Sequence, residues 1–257
     1  MAFVSIGGES IHYERSKGDG APLLLVHGSG GCTRHWPGAL RRSRTNDVIS
    51  VDLPGHGLSG GTGRPRVEDY ADVVAALAEA LDLKGVAVAG HSLGGAVALV
   101  LGLRHLSWVA RLVLVGTGAR LRVTPEILDL VLTDYPAAVE RISQWAFGHR
   151  APRPMVAEFC RGLLKTEPAV VHNDFSACNR FDVMDRLHAI RLPSLVICAA
   201  QDRMTPVKYG AYLQDHIPGA KMAVIEGAGH MMGLEQEKIF IDRVRRFVGP
   251  FKDPAGR

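Results

Sequence analysis

The chain has 257 residues, 47% of them hydrophobic and 22% charged, and its 30 Lys and Arg against 26 Asp and Glu leave a net charge of +4. That is the make-up of one large globular domain, or a medium one carrying an insert, and it excludes a disordered or collagen-like chain. The 29 glycines are the one unusual count, and glycine supplies turn geometries that other residues resist.

Residues 2–6 and 11–16 read as an opening hairpin turned by Gly7 and Gly8. Residues 22–27 (PLLLVH) form a continuous apolar run, the mark of a strand buried on both faces. The runs 47–51, 85–89, 109–115, 193–199 and 220–225 repeat that mark. Between them, 67–81, 93–104, 206–217 and 235–248 are helical. In the first of these, Val67, Tyr70, Val74, Leu77 and Leu81 recur at spacings of three and four, one buried stripe. Strand–helix alternation predicts an α/β fold, a mostly parallel eight-stranded sheet with helices on both faces.

Residues 117–192 break the alternation. They hold no strand-like run, but helical ones at 125–133, 136–147 and 154–164, punctuated by Pro125, Pro136, Pro152, Pro154 and Pro168. The expected organisation is a core of residues 1–116 and 193–257, with residues 117–192 inserted as a helical cap or lid.

Cys32, Cys160, Cys178 and Cys198 are scattered and form no CxxC pair. The first eight residues show no basic region followed by an apolar run, so no secretory signal is visible, and a reduced, cytoplasmic protein is expected. The longest apolar stretches, such as 96–101, fall far short of the roughly 20 residues of a membrane span. The arginines at 41, 42 and 44 and at 243, 245 and 246 have no interleaved aromatics, so they read as solvated helix faces and not as a nucleic-acid surface.

Chemistry concentrates at predicted strand ends. Gly90-His91-Ser92-Leu93-Gly94 matches G-x-S-x-G, and so does Gly57-Leu58-Ser59-Gly60-Gly61. Ser92 follows the strand GVAVAG and opens the helix LGGAVALVLGLRH, the strand–turn–helix setting of a nucleophile elbow, whereas Ser59 lies within a glycine-rich loop. A serine hydroxyl needs a base, and the base an orienting acid. Of eleven histidines, His230 emerges in a glycine-rich loop directly after the last strand. His91 is a poor base, because neighbouring side chains on a tight turn diverge. His27 and His56 read as loop braces. Asp202 follows strand 193–199 and is the candidate acid. Asp52, the runner-up, reads as a turn cap. The loop His27-Gly28-Ser29-Gly30-Gly31 can offer the Ser29 amide to an oxyanion, with the amide of Leu93 as the second donor.

HGSGG at 27–31, DLPGHGLSG at 52–60, GHSLGG at 90–95, AAQDRMTP at 199–206 and GAGH at 227–230 together resemble the α/β-hydrolase superfamily. Its small carboxylesterase and lactonase members are the most similar. The order Ser92, Asp202, His230 is that superfamily's order, and the resemblance implies a capped core with the site between core and cap. Members with an aspartate nucleophile depart at Ser92. Carbon–carbon bond hydrolases typically follow the histidine with Trp, where this chain has Met231 and Met232, and proline iminopeptidases carry GGSWGG at the elbow.

The function this implies is a serine hydrolase that cleaves carboxylic esters or lactones through an acyl-enzyme. The alternatives on the same triad are a carbon–carbon bond hydrolase, an acyltransferase or perhydrolase, and a non-catalytic small-molecule receptor. Trp36, Trp145, Phe147, Met231 and Met232, with Met155 and Phe175, are candidate pocket residues, although ordinary core packing accounts for each more readily and Met231 and Met232, beside His230, have the best case. No cofactor or metal is expected, since neither the histidines nor the cysteines show a ligand spacing. The expected partner is a small apolar ester or lactone, with no nucleic acid and no membrane, for a monomer or homodimer.

Overall fold

The computed structural model describes residues 2–249. Residue 1 and residues 250–257, counted with the core in the sequence reading, lie outside the described residues. Strands β1 (Ala2–Ile6), β2 (Glu9–Ser16), β3 (Gly20–Val26), β4 (Asn46–Val51), β5 (Val86–His91), β6 (Val109–Val115), β7 (Ser194–Ala199) and β8 (Lys221–Ile225) form one sheet in the order β1-β2-β4-β3-β5-β6-β7-β8. β1 and β2 are antiparallel to their neighbours, and β3 to β8 run parallel.

Alternation along the strands sorts the core. Leu24, Val26, Val88, Leu112 and Leu114 pack against one set of helices, α2 (Val67–Ala80), α3 (Leu93–Leu103) and α8 (Val207–His216). Leu23, Leu25, Ala87, Ala89, Val113 and Val115 face the other way, onto α1 (Gly38–Arg41) and α10 (Glu237–Val248). Both faces of the parallel strands are therefore covered, which is why their sequences read as unbroken apolar runs. Every residue of α3 is buried, so its helix is apolar all round.

Between β6 and β7 the chain forms α4 (Pro125–Thr133), α5 (Tyr135–Ala146), α6 (Arg153–Leu163) and α7 (Pro168–Arg180), then a 3-10 turn at Met184–Ala189. α7 is a helix that the sequence pattern did not single out. These helices enclose a third apolar cluster, in which Val131, Ile142, Phe147, Phe159 and Phe175 meet Met231. The predicted helix 235–248 forms as α10 from Glu237, and a break at Gln236 separates it from the short α9 (Met232–Glu235). No helix of the described residues is long and apolar enough to cross a membrane.

Candidate active site

Six parallel strands end at one edge of the sheet, and the loops that leave β3, β5, β7 and β8 carry Ser29, Ser92, Asp202 and His230. Carboxyl ends of parallel strands are where such sheets bind ligands.

Ser92 stands between β5 and α3 with φ +54°, a conformation uncommon for a residue with a side chain. The surroundings hold it there. Its amide donates to Val115 O at 2.9 Å, and its carbonyl accepts from the Gly95 and Ala96 amides and from Thr117 Oγ1. The turn closes only with glycine on either side of it. A Cβ at Gly90 would sit 1.9 Å from Gly94 O, and one at Gly94 would sit 2.1 Å from Val26 O. The side chain of Ser92 is thus presented at the N-terminus of a buried eleven-residue helix, where the positive end of the dipole favours developing negative charge.

His230 and Asp202 meet behind it. His230 Nδ1 donates to Asp202 Oδ2 at 2.8 Å, and both side chains are buried. Asp202 also accepts from the Met204 and Thr205 amides and from Thr205 Oγ1, all at 2.8 Å. Burial alone would raise the Asp202 pKa. The charge and hydrogen bond of His230, with the bonds from Thr205, outweigh it and hold the carboxyl below its ordinary value. His91 lines the same cavity but makes no hydrogen bond to the serine hydroxyl. Its Nε2 donates to His230 O at 3.0 Å, and burial, reinforced by the neighbouring His230, lowers its pKa to about 3.

Ser92 and His230 line one cavity of about 30 Å³ with Gly28 and Ser29. Ile142, Ala146, Phe159, Leu163 and Phe175 of the inserted helices make its apolar wall, together with Met204 and Met231. That volume holds a water or two. A cleft of about 680 Å³ adjoins it and shares His35 and Phe159, whose rings stack at 5.3 Å between centroids. The amides of Ser29 and Leu93 donate to no other described residue.

His27 and His56 brace the loops around this cavity. His27 Nδ1 donates to Gly28 O at 2.8 Å and its Nε2 accepts from the Leu53 amide at 3.0 Å, so the ring is neutral. Burial and the nearby His56 push its pKa well below the ordinary value. Asp52 caps its turn, accepting from the Thr33 and Leu58 amides and from His12 Nδ1. Ser59 is engaged in the same turn, through Asp52 O and the His12 amide.

Among the candidate pocket residues, Met231 and Phe175 line the small cavity and Met155 lines the cleft. Trp36 packs against Phe240 under the sheet, and Met232 is fully buried beside it. Phe147 sits edge-on to Phe159, one layer behind the wall, and Trp145 is half-buried beneath Arg141. His35, Ile142, Phe159, Leu163 and Met204 line the cavity without having been anticipated. Ile142 with Ala146 and Phe159 with Leu163 stand four residues apart, so each pair was legible as a helix stripe. Nothing in the sequence says which stripe faces Ser92.

Residues 23–243 match the alpha/beta hydrolase family. A pimeloyl-[acyl-carrier protein] methyl ester esterase of Neisseria meningitidis is 30% identical over 252 residues, which cover 91% of this chain and 79% of that one. A 2-hydroxymuconate semialdehyde hydrolase of Pseudomonas putida is 28% identical over 254 residues, covering 90% of this chain and 88% of that one. The solved structure of a thermophilic esterase, 33% identical, superposes with a TM-score of 0.85 over 96% of both chains.

Proposed function

Because the chain belongs to the alpha/beta hydrolase family, we propose that it is a serine hydrolase cleaving carboxylic esters or lactones through an acyl-enzyme. The observation that carries the reading is one cavity lined by both Ser92, at its strained turn, and His230, whose other nitrogen is bonded to buried Asp202.

In this reading Ser92 Oγ attacks the ester carbonyl as His230 Nε2 takes its proton. Asp202 keeps Nδ1 protonated and steadies the imidazolium. The amides of Ser29 and Leu93 receive the oxyanion. Collapse of the tetrahedral intermediate passes the proton from His230 to the leaving alkoxide, which departs as the alcohol; from a lactone it stays tethered to the acyl group. His230 then deprotonates a water that attacks the acyl-serine, and the acid is released. Residues 117–192 are the cap over this site, and the larger cleft takes the part of the substrate remote from the carbonyl.

The lining favours an ester over a carbon–carbon bond. Fragmenting a carbon–carbon bond requires polar groups that stabilise a carbanion or protonate carbon. Beyond Ser29, Ser92 and three histidines the cavity wall is apolar, with no Lys or Arg on it. The test is turnover of p-nitrophenyl esters and of lactones of graded acyl length by the unsubstituted protein and by Ser92→Ala. Loss of about 10⁴-fold or more in kcat is expected, since members of such a triad act as a unit. A Ser92→Ala protein that keeps a tenth of the activity refutes the assignment.

A further inference from the structure

The peptide at Gly30 is held by the inserted helices, not by the core. Its N–H donates to Asp174 Oδ2 at 2.7 Å, and its C=O accepts from Thr166 Oγ1 at 3.3 Å. Asp174 belongs to α7, and Thr166 to the turn that precedes it. Gly30 has φ +62°, and a Cβ there would lie 2.2 Å from Leu163 Cδ1. One turn beyond Asp174, Cys178 brings its Sγ to 3.8 Å from Ser29 Oγ, the spacing that puts two residues of one helix on a common face. Burial pushes the Cys178 thiol up to about 12, so it remains a thiol.

Asp174 is wholly buried and both of its oxygens are engaged. Oδ2 takes the Gly30 amide and, at 2.8 Å, His56 Nε2; Oδ1 takes Tyr70 OH. His56 Nδ1 faces Pro54 O at 3.0 Å. With a carbonyl opposite one nitrogen and a carboxylate opposite the other, both ring nitrogens donate, and the ring carries both protons. Burial would lower its pKa, and the charge and hydrogen bond of Asp174 raise it on balance. The cluster is therefore a buried ion pair whose charges cancel beside the cavity.

We infer that Asp174 is the positioning residue of the oxyanion loop, taking the Gly30 N–H with His56 as its counter-charge and so aiming the neighbouring Ser29 N–H at the substrate carbonyl. This rests on the proposed role of Ser92. Because Gly30 N–H is consumed by Asp174 and Gly31 N–H by Gly28 O, neither is itself a donor to the oxyanion, whereas the Ser29 amide has no described acceptor. Stability alone gives little reason for the arrangement, since buried ion pairs are often replaceable by apolar groups without loss. The pairing has a second consequence. A lone carboxylate behind the hole would oppose negative charge on the carbonyl oxygen, and His56 removes that opposition.

The experiment compares Asp174→Ala, Asp174→Asn and His56→Gln with the unsubstituted protein on a short p-nitrophenyl ester. It measures kcat, KM, thermal midpoint and the affinity of an alkylboronic acid that forms a tetrahedral adduct on Ser92. Asp174→Ala is expected to lose about 10²-fold in kcat, the scale of one oxyanion donor, with KM within about threefold. Boronate affinity should fall in step, and Asp174→Asn, which keeps an acceptor for Gly30, should recover most of the loss. Val131→Ala, in the buried core of the insert, should lower the thermal midpoint alone. A folded Asp174→Ala with kcat within threefold of the unsubstituted protein overturns the inference. Should Asp174→Ala not fold, His56→Gln decides, since its amide can still donate to Asp174. A tenfold fall in kcat at constant KM supports the role, and a change under twofold overturns it. Absence of Ser92-dependent turnover in the unsubstituted protein overturns the functional reading as well, whereas Ser92-dependent turnover with an indifferent Asp174 overturns this inference alone.

Discussion

Buried neutral histidines make this protein sensitive to mild acid, and the size of the effect follows from their surroundings. His27 is fully buried with its Nε2 accepting from Leu53, so a second proton there would face an amide N–H. His91 is buried with a pKa lowered to about 3, and half-buried His35 is lowered to about 4, in both cases first by burial. In the unfolded chain each titrates near 6.5. Below that value the unfolded state takes up protons that the folded state refuses, so stability falls with pH by about 1.4 kcal/mol per unit per group. From pH 7 to pH 5, His27 and His91 together remove roughly 4 kcal/mol, with His35 discounted for its exposure. A domain of this kind has only about 5–15 kcal/mol in total.

Of the other shifted groups, His56 and Glu235, both raised, oppose this loss near the two ends of the window, and Asp202 acts below it. His56, raised, contributes stability that is complete below about pH 6.5 and is lost as pH rises through its folded pKa, so it adds no slope on the acid side. Asp202, lowered, contributes stability above its unfolded value near 4 and loses it as pH falls further. Urea unfolding followed by tryptophan fluorescence at pH 7, 6 and 5 measures the slope. His27→Gln retains a donor and an acceptor but does not ionise. Whatever its stability at pH 7, its loss on going to pH 5 should be smaller by about 2 kcal/mol. Equal losses for the two proteins, or a stability that is flat from pH 7 to pH 5, would refute the reasoning.

Two further substitutions probe the elbow and the wall. Gly94→Ala forces a Cβ to within 2.1 Å of the Val26 carbonyl oxygen, where neither strand nor helix backbone can give. Its stability should fall by on the order of 3 kcal/mol, read by urea unfolding, with Ser92-dependent turnover lost. Phe159→Ala removes a buried ring from the partition between the small cavity and the large cleft. It should cost about 3 kcal/mol in stability and raise kcat/KM for long acyl chains relative to acetate; an unchanged chain-length profile would count against the partition.

The sheet was legible because its strands are buried on both faces, and a run such as Leu23 to Val26 has no other economical reading. The positions of Ser92, Asp202 and His230 followed from being next to those runs. What escaped the pattern did so for a physical reason. α7 buries Val170, Val171, Asp174, Phe175, Ala177 and Cys178 on one face, and the aspartate within that stripe interrupts its apolar period. The residue that hid the helix is the one that holds Gly30. At Gln236 the backbone leaves the helical region, with φ −128° and ψ 51°, although the surrounding residues keep a helical spacing. Just before that break, the Glu235 carboxylate accepts from the Gly148 and Gly229 amides at 2.9 Å each. Long-range bonds of this kind leave no mark on local periodicity.

The same bonds say where the insert is fastened. A helix C-terminus leaves carbonyls without partners, and those of α5 are met by the loops that carry the candidate acid and base. Gln144 O accepts from Arg203, next to Asp202, and Ala146 O accepts from the Met231 amide, next to His230, at 2.9 Å. The His149 amide donates to Gln201 Oε1 at 2.9 Å, on the other side of Asp202, and Glu235 joins Gly148 to Gly229, on the other side of His230. With Asp174 and Thr166 on Gly30, three of the four loops proposed to do chemistry, all but the Ser92 turn, are tied to the inserted helices at a residue adjoining the functional group. Helices attached in this way cannot lift as one rigid body without disturbing the three loops they hold. α6, which lines the cleft with Met155, Glu158 and Phe159, shares in none of these ties. Under the proposed reading, the ties through α5 and α7 keep the reaction geometry, and α6 is left to set what the cleft admits.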